Sequence, residues 1–290
     1  MTTKHILTAL FAAAFGINAQ ASLFEEYFDY TLNNNTNIGG NTGGTWLGGT
    51  NNVRFVTPSG PTFTGTGYVP THAGGSLESG NSNSSDVRTA HAPLGQAVSG
   101  EFWVSVFVNP TGMTNVNGST TLMSFSTDNT SNASYGGPGF GIYNDGTNLS
   151  YALFNGSGGV GGVSTVGSAA TAGQWQLLIA QITINTDADD SISVWSFAED
   201  AEVPTTVAGL GAAVVSSTTM SWGNSINTLG IGGQSFETGG GKTARWDDIR
   251  VSTLSGDAGF EVVMAIPEPG TLALLGMAVG SLLFFRRRRR

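Results

Sequence analysis

The sequence contains no cysteine. Disulfide staples, zinc–thiolate centres and a cysteine nucleophile are therefore excluded from the chain itself. Charge is also scarce. Asp, Glu, Lys and Arg make up 11% of the 290 residues, where about a quarter is usual. So few charged side chains cannot solvate the faces of a helical bundle. Between residues 22 and 266 no apolar stripe at helical spacing continues beyond about two turns. Histidine is nearly missing from the same stretch, with only His72 and His91, both in Pro/Gly/Ala-rich sequence that reads as loop. No Gly-x-Ser-x-Gly elbow accompanies them, so a Ser-His-Asp hydrolase lacks its usual sign.

Glycine is abundant, at 43 residues. Aromatics still make up 10% of the chain, so the composition is not that of a disordered segment. The charge that exists is unevenly placed. Between Ser22 and Ile266, five basic residues face 19 acidic ones, a formal charge of −14. Such a body repels phosphate backbones, and nucleic acid is not an expected partner.

Two targeting segments bracket this body. Lys4 and His5 precede an apolar run over residues 6–17 and the small-residue pattern Ala19-Gln20-Ala21. This is the layout of a secretory signal peptide over residues 1–21, with cleavage after Ala21. Its partner is the general secretion machinery. At the other end stand Pro267, Glu268 and Pro269, an apolar run over 272–285, and Arg286, Arg287, Arg288, Arg289 and Arg290. The prolines bar a helix from continuing upstream. The apolar run is expected to form one short transmembrane helix, with the arginines as a cytoplasmic membrane stop.

The Pro-Glu-Pro segment, apolar helix and arginine block together resemble the PEP-CTERM sorting signal of Gram-negative bacteria. That resemblance implies an exosortase, a membrane cysteine transpeptidase, as partner. It implies cutting near Pro267–Pro269 and release or attachment at the cell surface or in the extracellular matrix, after a transient stay in the inner membrane. The expected organisation is a signal peptide over 1–21, a body over 22–264 and a sorting tail over 265–290.

Within the body, short strand patterns alternate with Gly- and Asn-rich turns. They lie over residues 23–30, 101–108, 122–126, 140–143, 149–154, 175–184, 191–197, 229–232 and 243–251. Asn144-Asp145-Gly146-Thr147-Asn148 reads as a hairpin loop around an Asp-Gly turn. The fold expected is all-β, an antiparallel β-sandwich or jelly roll. The ordered series of Phe24–Tyr30, Phe102-Trp103-Val104-Ser105, Gln174-Trp175-Gln176-Leu177, Ser191–Trp195 and Trp246-Asp247-Asp248-Ile249-Arg250-Val251 resembles the concanavalin-like (laminin-G-like) jelly rolls. That likeness implies a curved sheet whose concave face often holds sugar.

The candidate sites are sparse. Aromatic faces pack on the apolar faces of sugar rings. Trp46 and Trp222, in Gly/Asn/Ser/Thr-rich sequence, are the expected carbohydrate-binding residues. Trp103, Trp175, Trp195 and Trp246 fall in strand patterns and read as core. Asn185, Asp187, Asp189 and Asp190 offer closely spaced oxygens suited to calcium, beside the plainer reading of an acidic hairpin tip. No cofactor other than calcium is implied. Paired glycosidase carboxylates on one strand should alternate so as to share a face. Glu199-Asp200-Ala201-Glu202 comes nearest and does not alternate, while Asp247 and Asp248 suit a turn or a salt bridge to Arg245 or Arg250. The expectation is a surface protein that is an exosortase substrate and not itself an enzyme. Carbohydrate binding by the body is the second reading, and a polysaccharide hydrolase the third.

Overall fold

A computed structural model describes residues 22–32, 36–39, 41–42, 45–48, 53–56, 60–61, 63–68, 75–80, 88–113, 118–127, 137–156, 162–234 and 242–265. Signal peptide, Pro-Glu-Pro segment, apolar run and arginine block all lie outside these residues. Among the described residues no helix is long and apolar enough to cross a membrane.

The body is an antiparallel two-sheet sandwich, as its alternating patterns require. In chain order the strands are β1 (Phe24–Glu26), β2 (Thr36–Asn37), β3 (Leu47–Gly48), β4 (Val53–Val56), β5 (Ser76–Gly80), β6 (Arg88–Val98), β7 (Gly100–Asn109) and β8 (Thr120–Ser126). They continue with β9 (Gly139–Asn144), β10 (Leu149–Phe154), β11 (Val163–Ala169), β12 (Gln176–Ile184), β13 (Asp190–Ala198), β14 (Val215–Met220), β15 (Ile226–Gln234) and β16 (Lys242–Ser252). One α-helix, α1 (Gly256–Met264), follows the last strand. The first sheet runs β14-β13-β12-β7-β16-β5-β4-β2, with β1 paired to β16. The second runs β11-β10-β9-β8-β15-β6-β3.

Alternation fixes which side chains meet between the sheets. From the first sheet come Phe102, Val104, Val106, Leu178, Ala180, Trp246 and Val251. The second sheet answers with Met123, Phe125, Phe140, Ile142, Leu153, Leu229 and Ile231. Phe102 and Phe125 meet edge to face at 5.5 Å across the gap. The turn between β9 and β10 closes as the sequence reads. Gly146 takes φ +97°, and Asp145 Oδ1 accepts the N–H groups of Thr147 and Asn148, each at 2.8 Å. Those bonds stabilise the ionised carboxylate and hold the Asp145 pKa below its ordinary value.

The outer face of the first sheet carries a second apolar cluster: Trp103, Phe107, Leu177, Ile179 and Trp195 from the strands, with Tyr68, Val203 and Leu210 from crossing segments. Helix α1 covers it with Phe260, Val263 and Met264, all fully buried. Their i, i+3, i+4 spacing puts them on one helix face. Trp103 stacks on Trp195 at 6.0 Å and takes the edge of Phe260 at 5.5 Å. Ser105 Oγ donates to the Val263 carbonyl at 2.7 Å. Ala265, in the left-handed conformation, caps the helix.

Beside α1 lies a buried ionic knot. Asp248 occupies a left-handed position (φ +48°) at a bulge in β16. Its carboxylate bonds Arg250 Nε at 3.1 Å and accepts the Tyr68 hydroxyl at 2.8 Å. The guanidinium lies 4.7 Å from the centre of the Tyr68 ring. Burial, then the neighbouring Asp248 charge, pushes the Tyr68 pKa well above its ordinary value. Arg245, the alternative partner, instead reaches Glu78 at 3.5 Å.

Candidate functional site

The cleft to consider lies where β12 and β13 part. These strands are joined through the turn at 185–189 and run in register until Gln176 faces Ala198. Beyond that pair the two chains diverge. Gln174 and Trp175 stand on one side, Ala198, Glu199 and Asp200 on the other, and Thr64 supplies a third wall. The cleft is open to solvent and has a volume of about 530 Å³.

Each wall is held by identifiable contacts. Gln176 Nε2 donates to the Thr171 carbonyl at 2.6 Å, and its Oε1 accepts the Tyr151 hydroxyl. Asn109 Nδ2 reaches the Gly173 carbonyl at 3.5 Å. The 171–175 turn is thus tied to β7 and to the opposite sheet. The third wall, residues 63–68, lies across the segment after β13. The N–H groups of Thr64 and Gly65 donate to the Glu199 carbonyl at 2.9 and 3.2 Å. Val203 N–H donates to the Thr66 carbonyl at 2.8 Å. Glycine is required for this approach: a Cβ at Gly65 would sit 1.9 Å from the Ala201 carbonyl oxygen. Gly65→Ala is therefore expected to cost about 1–3 kcal/mol through overpacking and to displace the Thr64 wall. Chemical denaturation measures the first effect, and a changed response of the Trp175 fluorescence to quencher measures the second.

Trp175 packs one part of its ring on the outer apolar cluster and stays half-buried. Gln174, Thr64 and Asp200 are exposed, and Glu199 is half-buried. The cleft thus combines an aromatic surface with an amide, a hydroxyl and two carboxylates. That set matches a sugar, whose ring has an apolar C–H face and a rim of hydroxyls.

The two tryptophans expected to bind sugar are not available for it. Trp46 is fully buried between the sheets. Its indole stacks on Phe28 at 5.9 Å and donates to Glu26 Oε2 at 2.8 Å. Trp222, 6% exposed, donates to the Pro138 carbonyl at 2.7 Å. Their polar flanking residues suggest loops, but each indole N–H finds a distant buried acceptor and the ring goes inward. Trp175 does the reverse. It stands one residue before β12, on the outer face, at the end where packing stops.

Glu199 and Asp200 both line this cleft, a placement that strand alternation hid. They follow the last residue of β13 and lie in a turn, where the every-other-residue rule no longer applies and adjacent side chains line one cavity.

Asn185, Asp187 and Asp189 lie in the β12–β13 turn, and Asp190 opens β13. Asp190 is 2% exposed. Its two oxygens accept the N–H groups of Asn185 at 2.8 Å and Trp222 at 2.5 Å. Asn185 Nδ2 donates to the Asp189 carbonyl at 2.7 Å. Among the described residues no group of three or more acidic or histidine side chains converges as metal ligands would. His72 lies outside the described residues. His91 is a strand residue, on β6, and only 2% exposed. It faces Gly230 of β15, which in turn faces Ser124 of β8.

Residues 265–290 match the family model described as the PEP-CTERM protein-sorting motif. No curated protein matches the chain by sequence. Among solved structures, the marine alginate lyase of Aplysia kurodai is similar at a TM-score of 0.51 and 8% identity, covering 81% of this chain and 100% of its own. An alginate lyase solved with an alginate trisaccharide gives a TM-score of 0.49 at 10% identity, covering 82% of this chain and 100% of its own. A glucuronan lyase of Trichoderma reesei gives 0.41 at 12% identity, covering 72% of this chain and 94% of its own. At such identities the likeness is one of fold.

It nevertheless corrects one expectation. The expectation that the body is not an enzyme is withdrawn, because a neighbour of the same fold is an alginate lyase. The motif marks the protein for export and surface sorting. The chain is thus an antiparallel β-sandwich body bearing a PEP-CTERM protein-sorting motif over residues 265–290.

Proposed function

We propose that the exported body engages polysaccharide at the cell surface through the cleft around Trp175. The carrying observation is a half-buried indole set beside Gln174, Thr64, Glu199 and Asp200 in one cavity. A carbohydrate site needs both an apolar platform and a polar rim, and the described residues supply them here. The fold shared with the Aplysia alginate lyase supports a polysaccharide-related role.

Delivery rests on the two ends. The signal peptide over 1–21 directs export. The apolar run over 272–285 then holds the chain in the inner membrane, with Arg286–Arg290 on the cytoplasmic side. An exosortase cuts near Pro267–Pro269. Helix α1 ends at Met264 and packs on the body, so a cut there leaves the sandwich whole. Intact mass of the surface-located protein is expected to lack Ala21 and everything before it, and to lack the five arginines. Retention of Arg290 in surface material contradicts the processing step.

Binding is checked by affinity electrophoresis of the full chain in gels containing different polysaccharides. At least one gel is expected to retard the wild type. Trp175→Ala is expected to weaken that interaction about tenfold, since it removes the stacking surface. Trp46→Phe and Trp222→Phe should leave it in place. Equal retardation of wild type and Trp175→Ala contradicts the assignment.

A further inference from the structure

We infer that helix α1 gates the removal of the sorting tail: while its last turn stays docked on the body, the segment to be cut is held too close to the sandwich, and cutting waits for that turn to open. This rests on the processing reading given above and adds what sets its rate. The last turn is clamped. Phe260, Val263 and Met264 are fully buried. Ser105 Oγ donates to the Val263 carbonyl at 2.7 Å, and Arg250 Nη1 reaches the same oxygen at 3.5 Å. Gly259 lets the helix lie directly on Trp103, since a Cβ there would sit 2.6 Å from the indole. The other end of α1 is tied as well. Gly256 N–H donates to Glu101 Oε1 at 2.6 Å, and Val207 N–H donates to Asp257 Oδ1 at 2.8 Å. The last turn stops at Ala265, whose N–H donates to the Val262 carbonyl at 3.1 Å.

The clamp matters because of how little chain follows it. Only Ile266 separates Ala265 from Pro267. Three residues from Met264 reach at most about 11 Å when fully extended, so Pro267 stays within that distance of a residue buried in the body. Acyl transfer to the thiol of an exosortase requires both the sulfur and oxyanion donors to reach the scissile carbonyl. The peptide C–N bond breaks, the thiol proton leaves with the tail amine, and the body is left as a thioester for water or an acceptor nucleophile. The groups that surround the scissile peptide have no room on its body side while Val263 and Met264 are packed inside. Opening the last turn supplies that room. Ala265 is where opening starts: at φ +51° a residue with a Cβ is strained, and uncoiling relieves the strain. A terminal helix opens in this way without the sandwich unfolding.

The test follows loss of the tail from the full-length protein by pulse-chase in its own host, read by gel mobility and intact mass. Phe260→Ala removes the contact with Trp103 and is expected to speed processing about tenfold or more, because cutting follows the open population. Ser105→Ala takes the hydroxyl from the Val263 carbonyl and is expected to speed it about fivefold. Leu153→Ala is the control. It opens a cavity between the sheets, where Leu153 is fully buried, so it should lower the melting temperature and leave processing unchanged. A Gly/Ser spacer of about eight residues between Ala265 and Ile266 adds about 15 Å of reach. It should speed the wild type and erase the difference between wild type and Phe260→Ala. The spacer follows the last turn of α1, so it reads the gate even where Phe260→Ala folds poorly. Processing unchanged or slowed in Phe260→Ala, processing sped as much by Leu153→Ala, or a spacer without effect overturns the inference and leaves the processing reading standing. If the wild type never loses its tail, both fall.

Discussion

Asp247→Asn is expected to stabilise the protein by several kcal/mol at mildly alkaline pH and to have no effect in acid. Asp247 is 2% exposed, and its Oδ1 accepts the Asp248 N–H at 2.7 Å. Its Oδ2 lies against Gly60, where an added Cβ would sit only 1.6 Å away. Burial, and then the neighbouring Asp248 and Glu26 charges, push its pKa up to about 8, although the Asp248 N–H bond acts the other way. The folded state therefore keeps a proton that the unfolded chain releases near its ordinary value of 3.8. The stability this group contributes is complete below about pH 4 and is lost as pH rises to about 8, at about 1.4 kcal/mol per pH unit. The whole window amounts to about 6 kcal/mol, a large part of an ordinary domain's stability. Asparagine mimics the protonated acid and still accepts the Asp248 N–H, so the variant should show none of this slope. Urea unfolding across the range measures it. Wild-type stability that stays level from acid to mildly alkaline pH contradicts the assignment of a buried, proton-holding Asp247.

Arg250→Met is expected to cost about 3–5 kcal/mol, because it strips the counter-charge from a buried carboxylate. Arg250 is 1% exposed and Asp248 2%. Once the guanidinium is gone, Asp248 keeps the Tyr68 hydroxyl but sits buried without its counter-charge. The double variant Arg250→Met with Asp248→Asn should recover most of the loss. Asparagine tolerates the left-handed backbone at this position and carries no charge. Failure of the double variant to recover would mean that the guanidinium contributes by packing against Tyr68 and α1, not by compensating charge. The Ser105 and Arg250 contacts to Val263 also tie this knot to the helix from which the sorting tail begins. The single variant should therefore loosen α1 as well, seen as faster amide exchange over 259–264.

How much of this was legible in the sequence varies with the range of the cause. Period-2 alternation in β7, β12 and β13 comes from each strand's own residues, and the sandwich follows from them. β6 reads as loop because Pro93, Gly95 and several alanines break the usual strand chemistry. It is nevertheless a strand, paired with β15 from Arg88 to Pro93 and again at Val98, and with β3 at Ala90 and His91. Gly95 there adopts φ +79°, which glycine takes without strain. Helix α1 buries only four residues, Gly259, Phe260, Val263 and Met264, too short a stripe to stand out in the sequence, and it is held by packing on Trp103.

The cleft was harder to read for the same reason in stronger form. Whether a tryptophan is a core or a surface residue depends on where its N–H finds an acceptor. For Trp46 that acceptor is 20 residues away and for Trp222 it is 84. Nothing local reports either. The exposed face of Trp175 depends on the end of the β12–β13 pairing and on a wall brought from residues 63–68. By contrast, the bond between Asp248 and Arg250 joins residues two apart, and the sequence offered it among few choices.

The most direct measurement of the account is the set of six indole N–H signals in a nitrogen–proton NMR spectrum, recorded while a soluble oligosaccharide is added. The Trp175 indole is expected to shift with added sugar, while the buried indoles of Trp46, Trp103, Trp222 and Trp246 stay in place. A spectrum in which Trp175 remains unmoved while Trp46 or Trp222 responds would contradict it.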